Sequence, residues 1–394
     1  MILSQKINAV GDSTTMKIAQ KAIEMKKAGI DLIDLSVGEP DFPTPENIKN
    51  AAKLALDRNQ TKYTVNSGLL ELREAIANKL FFDHNLKYSS NEIIVSTGAK
   101  QSIFNAIQVL IDYGDEVILA NPNYVSYEQI VNFAGGVIKK IATEEKDGFI
   151  LDAEKIKSAI SPKTKMLILC NPSNPTGSVH LKKDLEKIAE VIEEKNIFVL
   201  VDEIYEKLIY DGISFQSFPA LSEKIKNKTI LINGFSKSYA MTGWRLGFAA
   251  ANTEIISVMN KLQSHSTSNA STISQFAAIE ALTGDQGFIQ VMRDEFQRRR
   301  NYLHAELENI TEQKIYKPLG AFYIFLNIKK YLGKNNINNS IDFASYILDK
   351  HKVAIVPGLG FGLDGYVRIS YANNMEILEK AIERLKQAFK ELSH

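Results

Sequence analysis

The chain has 394 residues, 45% hydrophobic and 24% charged, with 47 Lys and Arg against 46 Asp and Glu. Those proportions belong to a folded globular chain of about two domains, and they exclude disorder, collagen and a small disulfide scaffold. A formal net charge of +1 supplies no bulk field toward nucleic acid or an anionic membrane, so neither partner is expected.

From the N-terminus, MILSQKINAVGDSTTMK lacks the apolar core of a signal peptide. No run reaches the ~18 apolar residues of a membrane-spanning helix. One cysteine, Cys170, cannot pair within the chain, which fits a reducing compartment and a cytoplasmic location. A helix is predicted around 15–28. Between residues 90 and 250, apolar runs of strand length alternate with helical patterns. The strands are expected at 92–97, 116–120, 136–142, 165–170, 197–202, 228–234 and 245–250. Several are nearly continuous aliphatic runs, the pattern of strands covered on both faces. Helices are expected at 100–113 and 181–195, the second with Leu185, Ile188, Ala189 and Ile192 along one face. This alternation predicts an α/β fold with a mainly parallel sheet. The C-terminal third reads as a smaller α+β unit: helices over about 253–308, short strands near 321–328, 353–358 and 365–372, and helices near 341–351 and 375–391.

Four segments carry chemistry, each where a predicted strand ends, the edge at which open α/β sheets bind ligands. In STGAKQ (96–101), Gly98 and Ala99 open a helix whose first N–H groups suit a phosphate, though an ordinary tight turn has the same sequence. In LCNPSNPTGS (169–178), Asn and Pro make either a rigid turn or a ligand-orienting loop. In LVDEIYEKL (200–208), Asp202 closes a buried strand and needs a cationic partner, or else caps the next helix. In NGFSKSYAMTGWRLG (233–247), Lys237 lies between Ser236 and Ser238, with Arg245 eight residues on. A lysine amine becomes a nucleophile when burial or neighbouring cations lower its pKa. Together the four supply an amine for an aldehyde, a carboxylate for a buried positive charge, and donors for a phosphate. These are the requirements of pyridoxal 5′-phosphate.

The chain resembles the fold-type I pyridoxal-phosphate aminotransferases (class I/II), and within them most closely the bacterial aspartate aminotransferase branch, subgroup Ib. The resemblance rests on SVGEPDFPTPE, TKYTVNSGLLELREAIA, NPSNPTG, DEIYEKLIYDG, SKSYAMTGWRLG, GAFYIF and VRISYA in this order. It implies a large cofactor domain at 47–290, and a small domain formed by an N-terminal arm (1–46) with 291–394. It also implies roles. Lys237 would bind the cofactor aldehyde and move the substrate proton. Asp202 would pair with the pyridine nitrogen, and Tyr205 and Asn174 would meet the ring oxygen. Gly98, Ala99, Ser236 and Arg245 would hold the phosphate. Arg368, helped by Gly38, would grip the substrate α-carboxylate. Tyr63 would reach the phosphate of a neighbouring subunit, which implies a homodimer with shared active sites.

Lys100 and Thr15 match positions that favour a second, distal carboxylate. Tyr124 departs from the pattern: the aspartate enzymes usually carry tryptophan there, stacked on the cofactor ring. The expected reaction is ping-pong transfer of an amino group from aspartate or a related amino acid to 2-oxoglutarate. An aromatic or other amino-acid aminotransferase is the alternative, followed by a β-lyase on the same scaffold. The six histidines show no metal-ligand spacing, so no metal is expected. The run RDEFQRRRNYLHAELE (293–308) mixes both signs, as does a solvated, salt-bridged helix face.

Overall fold

The computed structural model describes residues 4–11 and 14–393. Its strands, in chain order, are β1 Ile33–Asp34, β2 Ile93–Ser96, β3 Glu116–Asn121, β4 Val137–Ala142, β5 Thr164–Cys170, β6 Phe198–Asp202, β7 Thr229–Gly234, β8 Gly247–Ala250, β9 Tyr323–Asn327, β10 Val353–Ala354, β11 Val356–Pro357 and β12 Tyr366–Ser370. The seven strands expected between residues 90 and 250 are therefore β2 to β8. They form one sheet in the order β2-β8-β7-β6-β5-β3-β4. Pairing is parallel throughout except along β8, which runs antiparallel to both neighbours. The aliphatic runs have the predicted cause: β2, β7 and β8 are buried at every position, between two apolar clusters that cover the sheet's two faces. On one face the Lys182–Glu193 helix buries Leu185, Ile188, Ala189 and Ile192, the stripe its spacing predicts.

Strand order reverses between β3 and β5, with β4 on one side and β6 and β7 on the other. Register places Cys170 beside Asp202, and Asp202 beside Ile232. The ends of β5, β6 and β7 thus lie level, and the loops after them open onto one crevice.

Beyond residue 290 a third cluster forms around the antiparallel sheet β11-β12-β9 and the parallel pair β1-β10. The N-terminal helix, Thr14–Lys27, contributes Ile18 and Ala22 to it, which settles where that helix packs. Ile204, Tyr205, Leu208 and Tyr210, on the segment leaving β6, belong to the same cluster. They tie the end of the large sheet to the C-terminal part.

The basic run departs from its expected place. Arg298 is a surface residue bound to Glu295, whereas Arg299 and Arg300 are buried. Arg300 bonds both oxygens of Asp211 and the Pro318 carbonyl, and lies over the Tyr210 ring. Burial of the Gly287–Thr311 helix against the C-terminal sheet decides this, and a charge count cannot see it.

A second buried charge cluster joins the Leu70–His84 helix to the segment after β6. Glu206 accepts a hydrogen bond from Lys79 and pairs with His84, and Lys79 also meets Asp83 at 2.9 Å. Asp83, His84 and Glu206 bring donor atoms within 4.8 Å of one another, but the Lys79 ammonium already supplies the cation between two of these carboxylates. Burial disfavours the charged forms of both Lys79 and Glu206. Their mutual attraction outweighs it, so Lys79 is held above its ordinary pKa and Glu206 well below its own. Glu206→Ala would remove one of the two carboxylates that hold the buried Lys79 ammonium, together with the partner of His84, and should cost about 3–5 kcal/mol in urea unfolding. Because Glu206 titrates lower in the folded state, its contribution is present above an unfolded value of about 4.3 and is lost as pH falls below it. An unfolding free energy for Glu206→Ala that matches wild type at pH 7 would contradict this.

Candidate active site

The crevice beyond β3, β5, β6 and β7 is a cavity of about 690 Å³, ample for a cofactor-sized ligand. Gly38, Ala99, Lys100, Tyr124, Asn174, Asp202, Tyr205, Ser236, Lys237, Arg245 and Arg368 line it. Gly98 directly precedes the lining residue Ala99 in the chain. Of the other residues named from sequence, one lies on the surface and one falls outside what is described. Tyr63 is 91% exposed and does not line the cavity. Thr15 lies in the Thr14–Lys27 helix, and its side chain is outside the described residues.

Lys237 follows β7, in a turn at the floor of the crevice. Its Nζ donates to the Gly38 carbonyl, a neutral acceptor. Burial is the main force on the amine, and it pushes the pKa down to about 8; Arg368 and Arg245 reinforce the shift, while Glu39 and Asp202 oppose it. A substantial fraction is therefore neutral near physiological pH, the form that can attack an aldehyde.

Asp202 ends β6 and is 5% exposed. One oxygen accepts from the Tyr127 hydroxyl at 2.8 Å, the other from the Ile204 N–H at 3.2 Å. The second bond is the capping-like contact that the sequence allows; it closes a turn, since no helix comes directly after β6. Burial raises the Asp202 pKa, opposed by those two bonds and by Lys237. A carboxylate in this setting gains from a cationic ligand group placed against it.

The anion cradle comes from two loops, the one after β2 and the one between β7 and β8. Gly98, with φ at +84°, caps the Ala99–Leu110 helix, a conformation that glycine adopts without strain. A Cβ there would stand 2.6 Å from Nη2 of Arg245, so a larger residue would push the guanidinium back from the helix start. Ser236 and Arg245 complete a group of N–H, O–H and guanidinium donors suited to a phosphate.

Arg368 arrives from β12 in the C-terminal sheet. Nη1 donates to Asn174 at 3.0 Å and Nη2 to the Ser36 carbonyl at 2.8 Å, while the buried Nε has no partner. The guanidinium lies 4.2 Å from the Tyr323 ring centroid and 5.0 Å from that of Phe361. A buried charge-bearing group with an unmet donor is positioned to take a carboxylate. At the outer wall, Lys100 Nζ sits 5.5 Å from the Tyr124 ring.

Sequence reasoning missed two residues here. Tyr127, the partner of Asp202, lies three residues after Tyr124 in NPNYVSY, one helical turn on, and that spacing was the available signal. Tyr323 shares a hydroxyl–hydroxyl bond of 2.9 Å with Tyr205. It lay inside the GAFYIF motif, but its role depends on where β9 docks.

If Lys237 is the reactive amine, its rate of trapping by a small aldehyde and borohydride should rise with a midpoint near pH 8. Other lysines should respond nearer about 10.4, their unperturbed value. Peptide mapping across a pH series checks this; a Lys237 midpoint near 10 would contradict it.

The chain is similar to known proteins over nearly its whole length. The chain matches the family described as aminotransferase class I and II over residues 30–385. It is 44% identical to an aspartate aminotransferase of Bacillus sp. (strain YM-2), covering 99% of both chains. It is similar to the crystal structure of the aspartate aminotransferase from Rhizobium meliloti, with TM-score 0.95, 41% identity and 99% of both chains covered. An aspartate aminotransferase from Thermus thermophilus, solved with maleate, has TM-score 0.93 at 39% identity, over 98% of this chain and 99% of that one.

Proposed function

Since the chain belongs to the aminotransferase class I and II family, we propose that it transfers the amino group of aspartate to 2-oxoglutarate, using pyridoxal 5′-phosphate. The observation that carries this is one cavity combining a depressed lysine, a buried carboxylate and an under-bonded arginine. The residues fit the cofactor: the space beside Gly98 that a Cβ would fill, with Arg245 against it, suits a phosphate.

When bound, the cofactor supplies an aldehyde for amine exchange and a ring that stores the electrons left at the substrate α-carbon. Lys237 would hold that aldehyde, give it up to the incoming amine, and then carry the α-proton. Asp202, fixed by Tyr127, would keep a proton on the ring nitrogen. Tyr205 and Asn174 would meet the ring oxygen. Gly98, Ala99, Ser236 and Arg245 would anchor the phosphate. Arg368 and Gly38 would bind the α-carboxylate shared by all amino acids.

Aspartate is favoured by Lys100 at the outer wall, with Thr15 assigned to the same end, and by the similarity to a protein solved with a four-carbon dicarboxylate, maleate. Tyr124 sustains the second reading, an enzyme for aromatic amino acids, because its ring is set edge-on to Tyr127 at 5.4 Å and carries no indole N–H. A homodimer is part of the proposal: the exposure of Tyr63 leaves it available to a neighbouring subunit's phosphate. So is the division into 47–290 and 1–46 with 291–394. Lys237, Asp202 and Arg245 come from the first part, Gly38 and Arg368 from the second, so a bound carboxylate draws the two together. The reading places the enzyme in the cytoplasm.

Lys237→Ala should abolish turnover and the visible absorbance of lysine-bound cofactor; normal turnover would refute the assignment. Arg368→Ala should lower kcat/KM for every amino acid by about 10²-fold, through a lost buried charge contact. An effect on one substrate alone would contradict its role. Single-turnover rates for aspartate well above those for phenylalanine, with Lys100→Ala narrowing the gap, are expected; the reverse order would select the aromatic reading.

A further inference from the structure

Tyr205 and Tyr323 form a buried pair of hydroxyls 2.9 Å apart at the wall of the cavity. Each phenol has one proton to donate and lone pairs to accept. Burial raises both pKa values above the ordinary phenol value, so both protons stay on at working pH. Neither hydroxyl has another hydrogen-bond partner among the described residues. The question is which one donates.

Three contacts decide it. The Arg368 guanidinium stacks 4.2 Å from the centre of the Tyr323 ring. The Tyr323 hydroxyl stands 2.9 Å from where a Cβ on Gly38 would lie, and Arg368 Nη2 stands 4.0 Å from that same point. A positive charge on that side turns the hydroxyl oxygen toward itself and its proton away, toward Tyr205. Absence of a side chain at Gly38 leaves the room this hydroxyl needs.

We propose that Tyr323 is a positioning residue that donates to Tyr205, so that the single Tyr205 proton points into the cavity at the cofactor's ring oxygen. The assignment rests on the cofactor reading above. Donation into Tyr205 also polarises its O–H and strengthens it as a donor. Because the Tyr323 ring lies against Arg368, the residue assigned to the substrate carboxylate shares a support with the residue assigned to the ring oxygen.

The test is a spectrophotometric pH titration of the lysine-bound chromophore in protein loaded with pyridoxal 5′-phosphate. Donation to the ring oxygen favours the chromophore's deprotonated form. Tyr323→Phe, which keeps the ring over Arg368, should therefore raise the midpoint by about half to one pH unit, roughly three- to tenfold in proton affinity. Tyr205→Phe should raise it at least as far. The double variant should match Tyr205→Phe alone, because Tyr323 acts only through Tyr205. A Tyr323→Phe midpoint equal to or below wild type, or a double variant showing the sum of the two shifts, would overturn the assignment. Wild-type protein that forms no lysine-bound chromophore would instead overturn the cofactor reading beneath it.

Discussion

A lysine amine that must give up its proton readily has to be shielded from bulk water and kept out of contact with carboxylates at once, and the site is arranged around that constraint. Lys237 is enclosed at the end of β7, and its Nζ is bonded to the backbone carbonyl of Gly38. The nearby carboxylate, Asp202, is occupied by the Tyr127 hydroxyl and the Ile204 N–H. An amine in direct contact with a buried carboxylate would be held charged, as Lys79 is by Glu206. The two lysines lie in comparably dry surroundings and are driven in opposite directions by their partners. One becomes a fixed cation that holds the segment after β6 to a helix. The other becomes a nucleophile.

Meeting that constraint needs both halves of the molecule. The large sheet supplies Asp202 and Lys237 through the level ends of β6 and β7. Gly38, which accepts from Lys237, and Arg368, which lowers its pKa, come from segments packed on the C-terminal sheet. The junction is rigid on its inner side. Tyr205 is set against Phe322 and Tyr323, and the Tyr210 hydroxyl bonds the Ala321 carbonyl. Aromatic packing of this kind holds side chains in defined positions, which a shared proton contact requires.

Much of this was legible in the residues alone. Strand positions came from aliphatic runs, because strands covered on both faces have no polar side to interrupt the run. Lys237, Asp202 and the Asn-Pro loop holding Asn174 stood out only as a set at strand ends, each having an ordinary reading alone, and Arg368 came only through the family resemblance. Tyr127 and Tyr323 did not stand out. An isolated tyrosine has the composition of core, and only its hydroxyl partner makes it part of a site. Arg299 and Arg300 misled in the other direction. Alternating charge on a helix implies solvent only where nothing packs on that face, and here Asp41 and Asp211 reach in from distant segments.

The sequence by itself determined the α/β class, the seven strands of the large sheet, and the kinds of group available for chemistry. These are local properties: periodicity, turn residues and the character of each side chain. Tertiary structure alone decided which groups share one cavity, which hydroxyls pair, and how readily a buried lysine gives up its proton. Those depend on distances between residues far apart in the chain, such as Gly38 and Lys237 or Tyr205 and Tyr323. Electrostatic energy between partly buried groups varies steeply with such distances, and no local pattern encodes them.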